Sequence, residues 1–333
     1  MTNMTDFKAK LEQITKVKYG ADIGKTSWIG CGGVAEILIS PQSVDELSQS
    51  LKLATQYGVL INVIGARSNT IVRDGILRGL TIWLKKGFTD MENLGDGLVR
   101  VGCGALDLTF ANFCAENGIS GCEFLIGIPG TIGGNIRMNA GCYGGEIKDI
   151  LQSVDYVDFD GNIGTFTNAD MGFSYRKTAI GHNFIFTSAV FKGKIAKSDE
   201  IFVKMDEISQ KRKKTQPIGR KTVGSTFKNP RFFTKSSFEK ICEEFGQNFD
   251  CTRENDDFYC DKIHSWMLID KAGLRGLSHG GAKISDIHCN FLVNEGGATA
   301  SDFENLGNLV IAKIFDKFGV KLEWEVERIG GDV

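Results

Sequence analysis

The 333-residue sequence has only four prolines and four histidines. Two of the prolines, Pro129 and Pro230, stand inside glycine-containing motifs. There is no CxxC pair. The nine cysteines, at positions 31, 103, 114, 122, 142, 242, 251, 260 and 289, show no metal-type spacing. That pattern predicts no metal site and reads as reduced thiols in a cytoplasmic protein. A formal net charge of -2 argues against a general nucleic-acid binder. No apolar run approaches the length of a membrane span, so no membrane partner is expected. The first ten residues, Met1 to Lys10, lack the apolar core of a signal peptide. Internal repeats, low-complexity tracts and the phosphate-loop motif G-x-x-x-x-G-K-[ST] are also missing. What remains is 42% apolar and 24% charged residues, ordinary for a globular chain long enough for two or three domains.

Residues 121 to 149 carry the densest signal. Six glycines lie from Gly127 to Gly144, with Pro129 among them. Glycine lets a backbone come close to a ligand, and successive N–H groups in such a turn form a concavity for phosphate oxygens. Around this segment the pattern predicts three regions. In the first, Ser43-Val-Asp-Glu46 reads as a capping box for a helix bearing Val44, Leu47, Leu51 and Ala54 and stopped at Gly58. Strands follow at Val59–Ile64 and Leu80–Leu84, with Gly65–Asn69, Thr70-Ile-Val72 and a turn at Asp74-Gly75 between them. The second region has a strand at Leu98–Val101, a helix from Asp107 to Glu116, and strands at Val154–Phe159 and Asn183–Phe191. Asp160-Gly161 makes a hairpin turn, and Lys204 to Lys214 reads as a surface helix. The third begins near Pro217, with helices capped at Ser236–Glu239 and Ser301–Glu304 and a further helix at Ser265–Asp270.

A Rossmann dinucleotide site needs G-x-G-x-x-G between strand and helix. The nearest candidate, Gly102-Cys-Gly-Ala-Leu-Asp107, has Asp107 in place of the third glycine, which counts against it. Two other segments compete, Gly65-Ala-Arg-Ser-Asn69 and Gly127-Ile-Pro-Gly-Thr-Ile-Gly-Gly134. Glycine-rich turns are mostly structural, but two in one chain fit a pyrophosphate gripped from two loops.

These segments resemble, in order and along nearly the whole chain, the UDP-N-acetylenolpyruvoylglucosamine reductase family. The resemblance rests on Gly65–Asn69 with Val72-Arg-Asp-Gly75; on Gly127–Gly134 with Met138-Asn-Ala-Gly141; and on Phe173-Ser-Tyr-Arg176. It continues through Gly224-Ser-Thr-Phe-Lys-Asn-Pro230, Leu268 to Gly276, Gly280 to Ser285, His288-Cys-Asn-Phe291 and Glu325-Val-Glu-Arg-Ile-Gly330. It implies an α+β fold: a two-part FAD-binding region of the PCMH or vanillyl-alcohol oxidase type, plus a C-terminal α+β substrate domain. The implied boundaries are 1–85 (joined by the tail 321–333), 86–214, and 215–320 with an insertion at 231–262. The implied activity is NADPH-dependent, FAD-mediated reduction of UDP-N-acetylglucosamine enolpyruvate to UDP-N-acetylmuramate in peptidoglycan precursor synthesis, by a cytoplasmic monomer. Without an extra tyrosine-bearing loop, the chain resembles the second, loop-less type. Another FAD oxidoreductase of the same fold, or a non-catalytic flavin or nucleotide-sugar binding protein, remain as alternatives.

The resemblance assigns noncovalent FAD to Gly65, Ala66, Arg67, Ser68, Asn69, Thr70, Gly127, Ile128, Pro129, Gly130, Thr131, Gly133, Gly134, Asn139, Ala140 and Gly141. It assigns substrate to Tyr175, Lys228, Asn229, His288 and Asn290, and catalysis to Arg176, Ser225 and Glu325. By type, Arg176 is a permanent cation able to fork onto a carboxylate and stabilise an enolate. Ser225 can protonate a developing carbanion, and Glu325 can hydrogen-bond the same carboxylate if it carries a proton. Each has a bland reading. Tyr175-Arg176 alone is a surface hairpin element, Ser225 a turn residue or cap, and Glu325 a solvated strand face. His264 and His288 read as hydrogen-bonded structural groups.

Three departures from the family pattern stand out. Arg67 occupies the second glycine position of its loop and is expected to lie along the phosphates or point outward, with φ below zero. Glu327 follows Glu325-Val326 where arginine is common, which puts Arg328 on the opposite strand face. Asn135 stands where a small residue is usual. The insertion, rich in Phe232, Phe233, Phe245, Phe249, Phe258 and Tyr259, is expected to form a small apolar cluster of its own.

Overall fold

The computed structural model describes residues 3–254 and 257–331. Residues 255–256 of the insertion and 332–333 of the tail lie outside the described residues. The chain divides into two compact units. The first comprises Met1–Asp22, Val34–Arg67 and Ile76–Lys214; the second comprises Ile23–Gly33, Ser68–Gly75 and Thr215–Val333.

The first unit contains two sheets. One runs in the order Val17–Asp22, Val34–Ile39, Ile76–Trp83, Ile61–Ile64, antiparallel at the first pair and parallel at the others. Helices α1 (Met4–Ile14) and α2 (Val44–Gln56) bring Phe7, Leu11, Leu47, Leu51 and Ala54 into one core with Leu80 and Ile82. Ser43 caps α2 as its sequence predicts, accepting from the Glu46 N–H at 3.2 Å. The Glu46 carboxylate accepts from the Gln42 N–H instead of closing the box on Ser43. The other sheet is antiparallel, in the order Ile163–Thr167, Leu151–Asp158, Phe184–Lys192, Leu98–Gly102, Met91–Gly95. Its apolar face buries Val99, Val101, Val154 and Phe191 with Phe110 and Cys114 of α3 (Asp107–Glu116) and Ile132 and Ile136 of α4 (Ile132–Arg137). The short α5 (Ile147–Ile150) and the long α6 (Ser198–Thr215) follow.

The second unit is built on an antiparallel sheet in the order Thr222–Ser225, Phe291–Asn294, Ala282–Ile284, Ser278–His279. Its helices are α7 (Lys235–Phe245), α8 (Ser265–Lys271) and α9 (Ala300–Phe318). Glu327–Ile329 of the tail pairs in parallel with Thr70–Val72. In the insertion, Phe232–Thr234, Asp257–Tyr259 and Thr252–Glu254 form a three-stranded sheet.

Four expectations are corrected here. The insertion has no separate cluster: Phe233, Ile241 and Cys260 belong to the same core as Phe303, Leu306 and Phe318 of α9, because α7 packs on α9. Cys251 and Cys260 form a disulfide, so not all nine thiols are free. The hairpin register explains it, since Thr252 faces Tyr259 and the next residue out on each strand is a cysteine. Helix α7 is capped by Thr234, not at Ser236, with Thr234 Oγ1 accepting from the Ser237 N–H at 3.2 Å. Ser237 itself is buried and donates to the Gly319 carbonyl. Helix α9 is capped by a Thr299–Asp302 box, not by Ser301 and Glu304. Ser301 bonds Asp74 through its N–H and hydroxyl, and Glu304 binds Arg73 and Arg328.

Candidate active site

In the first unit the two glycine-bearing loops meet. A Cβ added at Gly65 would lie 2.8 Å from Thr131 Oγ1, so only bare backbone allows the approach. Thr131 caps α4, and its side chain accepts from the Gly134 N–H. A Cβ at Gly130 would lie 2.7 Å from Asp107 Oδ2. Two close-packed glycine turns of this kind suit a phosphate-bearing cofactor such as FAD, whose oxygens such loops take against main chain.

Arg67 departs from the expectation for it. Its φ is +55°, the left-handed conformation that the usual glycine would adopt. The side chain is buried, and the guanidinium carbon lies 3.9 Å from the centroid of the Trp83 ring. Burial lowers its pKa to about 10, leaving it a cation at neutral pH. The guanidinium therefore stacks on an aromatic face, which offsets the cost of removing it from water.

Asn139 ties the second loop to the Phe173–Arg176 motif. It is fully buried, with φ +44°. Its Nδ2 donates to Ser174 O and to Glu146 Oε2, both at 3.0 Å, and its Oδ1 accepts from the Lys148 N–H. Arg176 sits in a two-residue turn closed by reciprocal bonds between Ser174 and Lys177, with φ +56°. Its Nη2 donates to Gly141 O at 2.8 Å, and its guanidinium lies 5.0 Å from the Tyr175 ring centroid. Tyr175, Arg176 and the Asn139–Gly141 segment are thus brought together.

In the second unit the Gly224–Pro230 motif and the tail converge. Gly224, at φ +77°, turns the strand so that Ser225 faces Phe291 in register. The Thr226 carbonyl, next in chain to Ser225, accepts from the Glu325 N–H at 2.8 Å. Asn69 Nδ2 donates to Glu325 O at 3.1 Å, and Asn69 O accepts from the Glu327 N–H. Arg328 lies within 3.3 Å of Glu304 and over Trp324, whereas Glu327 is exposed, as the strand-face reading of that pair requires. Lys228 Nζ is 3.2 Å from Glu323 Oε2. Asn229 Oδ1 accepts from the Ser265 N–H, closing the N-terminus of α8, whose own cap residue His264 supplies no side-chain bond.

His288 and Asn290 belong to the turn before the strand facing Ser225. Burial pushes the His288 pKa down to about 4, so the ring is neutral near pH 7. Its Nδ1 accepts from the Asn290 N–H at 3.2 Å. Asn290 is buried, and both ends of its amide bond the Phe227 backbone. Sequence reading did not foresee that role; a single Asn in a turn gives no sign of which distant backbone it holds. Arg220 and Lys221 line a cavity of about 340 Å³ with Gly30, Asn294 and Glu295. The Arg220 guanidinium is 3.6 Å from Glu295.

Comparison with known proteins agrees with both halves of this geometry. Residues 35–167 match the FAD binding domain family, and residues 216–329 match the C-terminal domain of UDP-N-acetylenolpyruvoylglucosamine reductase. The enzyme of that name from Rickettsia canadensis is 43% identical over 319 residues, 95% of this chain and 97% of that relative. The one from Rickettsia bellii is 42% identical, covering 95% of each. The crystal structure of UDP-N-acetylenolpyruvylglucosamine reductase from Thermus caldophilus superposes with a TM-score of 0.73 at 31% identity, covering 95% of this chain and 99% of that one. The α+β class, with an FAD-binding region of PCMH type and a separate C-terminal domain, stands on these matches. The chain belongs to the UDP-N-acetylenolpyruvoylglucosamine reductase family.

Proposed function

We propose that this protein reduces UDP-N-acetylglucosamine enolpyruvate to UDP-N-acetylmuramate, using noncovalent FAD and NADPH as the hydride donor. The observation that carries the reading is Ser225 set beside the Glu325 backbone in the second unit, in a chain matching reductases of this name along 95% of its length.

Bound FAD supplies the hydride chemistry, and the protein must orient the substrate, stabilise charge and deliver a proton. Ser225 is assigned the proton. A hydroxyl is a weak acid in water, but the carbon next to a carboxylate that has just gained a hydride at its neighbour is strongly basic. Arg176 is assigned the substrate carboxylate, where a guanidinium fork stabilises the enolate charge. Glu325 is assigned a hydrogen bond to the same group. Tyr175, Lys228, Asn229 and His288 are assigned to substrate. For His288 the neutral ring implies hydrogen bonding, not proton donation. Asn290 is assigned to keep the Ser225 strand in place.

The proposed parts are 1–85, joined by the tail 321–333, and 86–214 for FAD, and 215–320 for substrate; the change from one sheet to the other after Trp83 supports the first boundary. Peptidoglycan precursor synthesis in the cytoplasm by a monomer completes the proposal. The test is NADPH consumption by the purified yellow protein with and without the enolpyruvyl nucleotide sugar. Oxidation stimulated by that sugar supports the reading. Oxidation indifferent to it points to another flavin oxidoreductase, and bound flavin without turnover to a binding protein.

A further inference from the structure

Asp107 begins α3 with its side chain fully buried, and neither carboxyl oxygen has a hydrogen-bond partner of normal geometry. It lies directly behind the second glycine loop. Its N–H donates to Gly130 O, while the Ile132 and Gly133 N–H groups donate to Ala105 O and Cys103 O. Residues 103–107 are thereby laced to residues 130–133. The missing side chain of Gly130 leaves room for Asp107 Oδ2 and for Asn135 Oδ1, which lie 2.7 and 3.1 Å from where its Cβ would be. Asn135 is buried on α4, and its Nδ2 also has no partner. The two side chains thus occupy the place that a side chain at residue 130 would take.

Burial holds the Asp107 carboxyl well above the ordinary carboxylate range, and the nearby Asn135 amide draws it back only in part. The Cys142 thiol is the titratable neighbour that feels its charge. A neutral carboxylic acid offers one donor and an acceptor, the complement of an amide. An ionised one would be an unpaired buried charge. It would also repel the diphosphate of a cofactor on the far side of the loop, in a medium that screens poorly.

We propose that Asp107, packed with Asn135 against Gly130, is a positioning residue that braces the Gly130–Thr131 backbone and so preforms the loop for the FAD pyrophosphate. This rests on the reading that residues 127–134 hold FAD.

The test is FAD release from the holoenzyme on dilution, followed by flavin fluorescence, in wild type, Asp107→Asn and Asp107→Leu. The amide of Asp107→Asn imitates the neutral acid, so its FAD affinity should stay within about twofold of wild type. Asp107→Leu puts apolar branches against the space that Gly130 leaves open, and the shifted loop should weaken FAD at least about tenfold. Infrared spectra should show a protonated-carboxyl carbonyl band that is absent in Asp107→Asn and shifts when FAD leaves. Wild-type affinity in Asp107→Leu, equal loss in Asp107→Asn, or no such band would each overturn the proposal with the cofactor reading intact. A wild-type protein that binds no FAD would overturn both. The infrared band and the Asp107→Asn comparison hold even if Asp107→Leu does not fold.

Discussion

Asn290 holds Phe227 by both of its backbone groups. The Phe227 N–H donates to Asn290 Oδ1 at 3.0 Å, and Asn290 Nδ2 donates to Phe227 O at 2.8 Å, all within the core. Alanine at 290 would leave a buried donor and a buried acceptor unpaired, at a cost of about 2–5 kcal/mol. The Asn290→Ala protein should unfold at markedly lower urea. Its kcat should also fall, because Phe227 is two residues from Ser225. An unchanged urea midpoint would show that water replaces the clasp.

Ser225→Ala separates the two half-reactions. Reduction of the flavin by NADPH should stay within about twofold of wild type, while reoxidation by the enolpyruvyl substrate should slow by roughly 10²–10⁴, the usual reach of a positioned proton donor. Stopped-flow absorbance of the flavin reads both steps. Equal losses in the two would make Ser225 a structural residue.

Arg67 combines a left-handed backbone with a ring contact. A non-glycine residue at φ +55° carries roughly 1–2 kcal/mol of strain. Stacking on Trp83 returns a comparable amount, roughly 0.5–2 kcal/mol. Arg67→Gly removes both and should melt close to wild type. Arg67→Ala keeps the strain and loses the stack, so it should melt lowest. Thermal melts of the three proteins check the order, and Trp83 emission should change in both variants.

His288 predicts a pH dependence of stability. Its folded pKa of about 4 lies below the ordinary 6.5, so the unfolded chain takes up the proton first as pH falls. Its contribution is intact above about 6.5 and drains away as pH drops toward about 4. In His288→Asn, an amide oxygen can accept the Asn290 N–H that Nδ1 now accepts, and no proton is gained. Urea unfolding at several pH values should show a shallower slope for the variant than for wild type in that window.

Thiol titration tests the Cys251–Cys260 bond. Denatured protein kept from reductant should show seven reactive thiols, and nine after reduction. Closing a loop of nine residues is worth about 2–3 kcal/mol in the chain-entropy account. Reductant should therefore lower the melting temperature of wild type and leave the double Cys→Ser variant unmoved. Nine thiols at the outset would mean that the pair is not joined.

The sequence makes the long apolar stripes and the glycine loops readable because each depends on local spacing. The helix Asp107–Glu116 and the hairpin turn at Gly161 fall where periodicity and turn chemistry place them. Ser225 and Glu325 are readable only through their motifs; nothing local says that the Glu325 N–H bonds the carbonyl of Thr226, the residue after Ser225. The helix caps fail for a related reason. Ser236 and Ser301 fit the capping pattern, but Thr234 and Thr299 hold the positions because Ser237, Ser301 and Glu304 are engaged by residues far away in sequence. Asp107 looks in sequence like a flaw in a dinucleotide motif, and only its place behind Gly130 gives it a role.

The second unit gathers Ile23–Gly33 and Ser68–Gly75 with Thr215–Val333. Asn69 meets Glu325 across 256 positions, and Arg73 meets Glu304 across 231. On the ribosome, those two early segments emerge long before the partners that bury Ile29 and Ile71. They must wait, solvated or shielded, until the residues from Thr215 to Val326 that pack on them have been made. Completion of this unit therefore waits for the segment from Thr215 onward, and a fragment starting at Thr215 would lack two pieces of its own core.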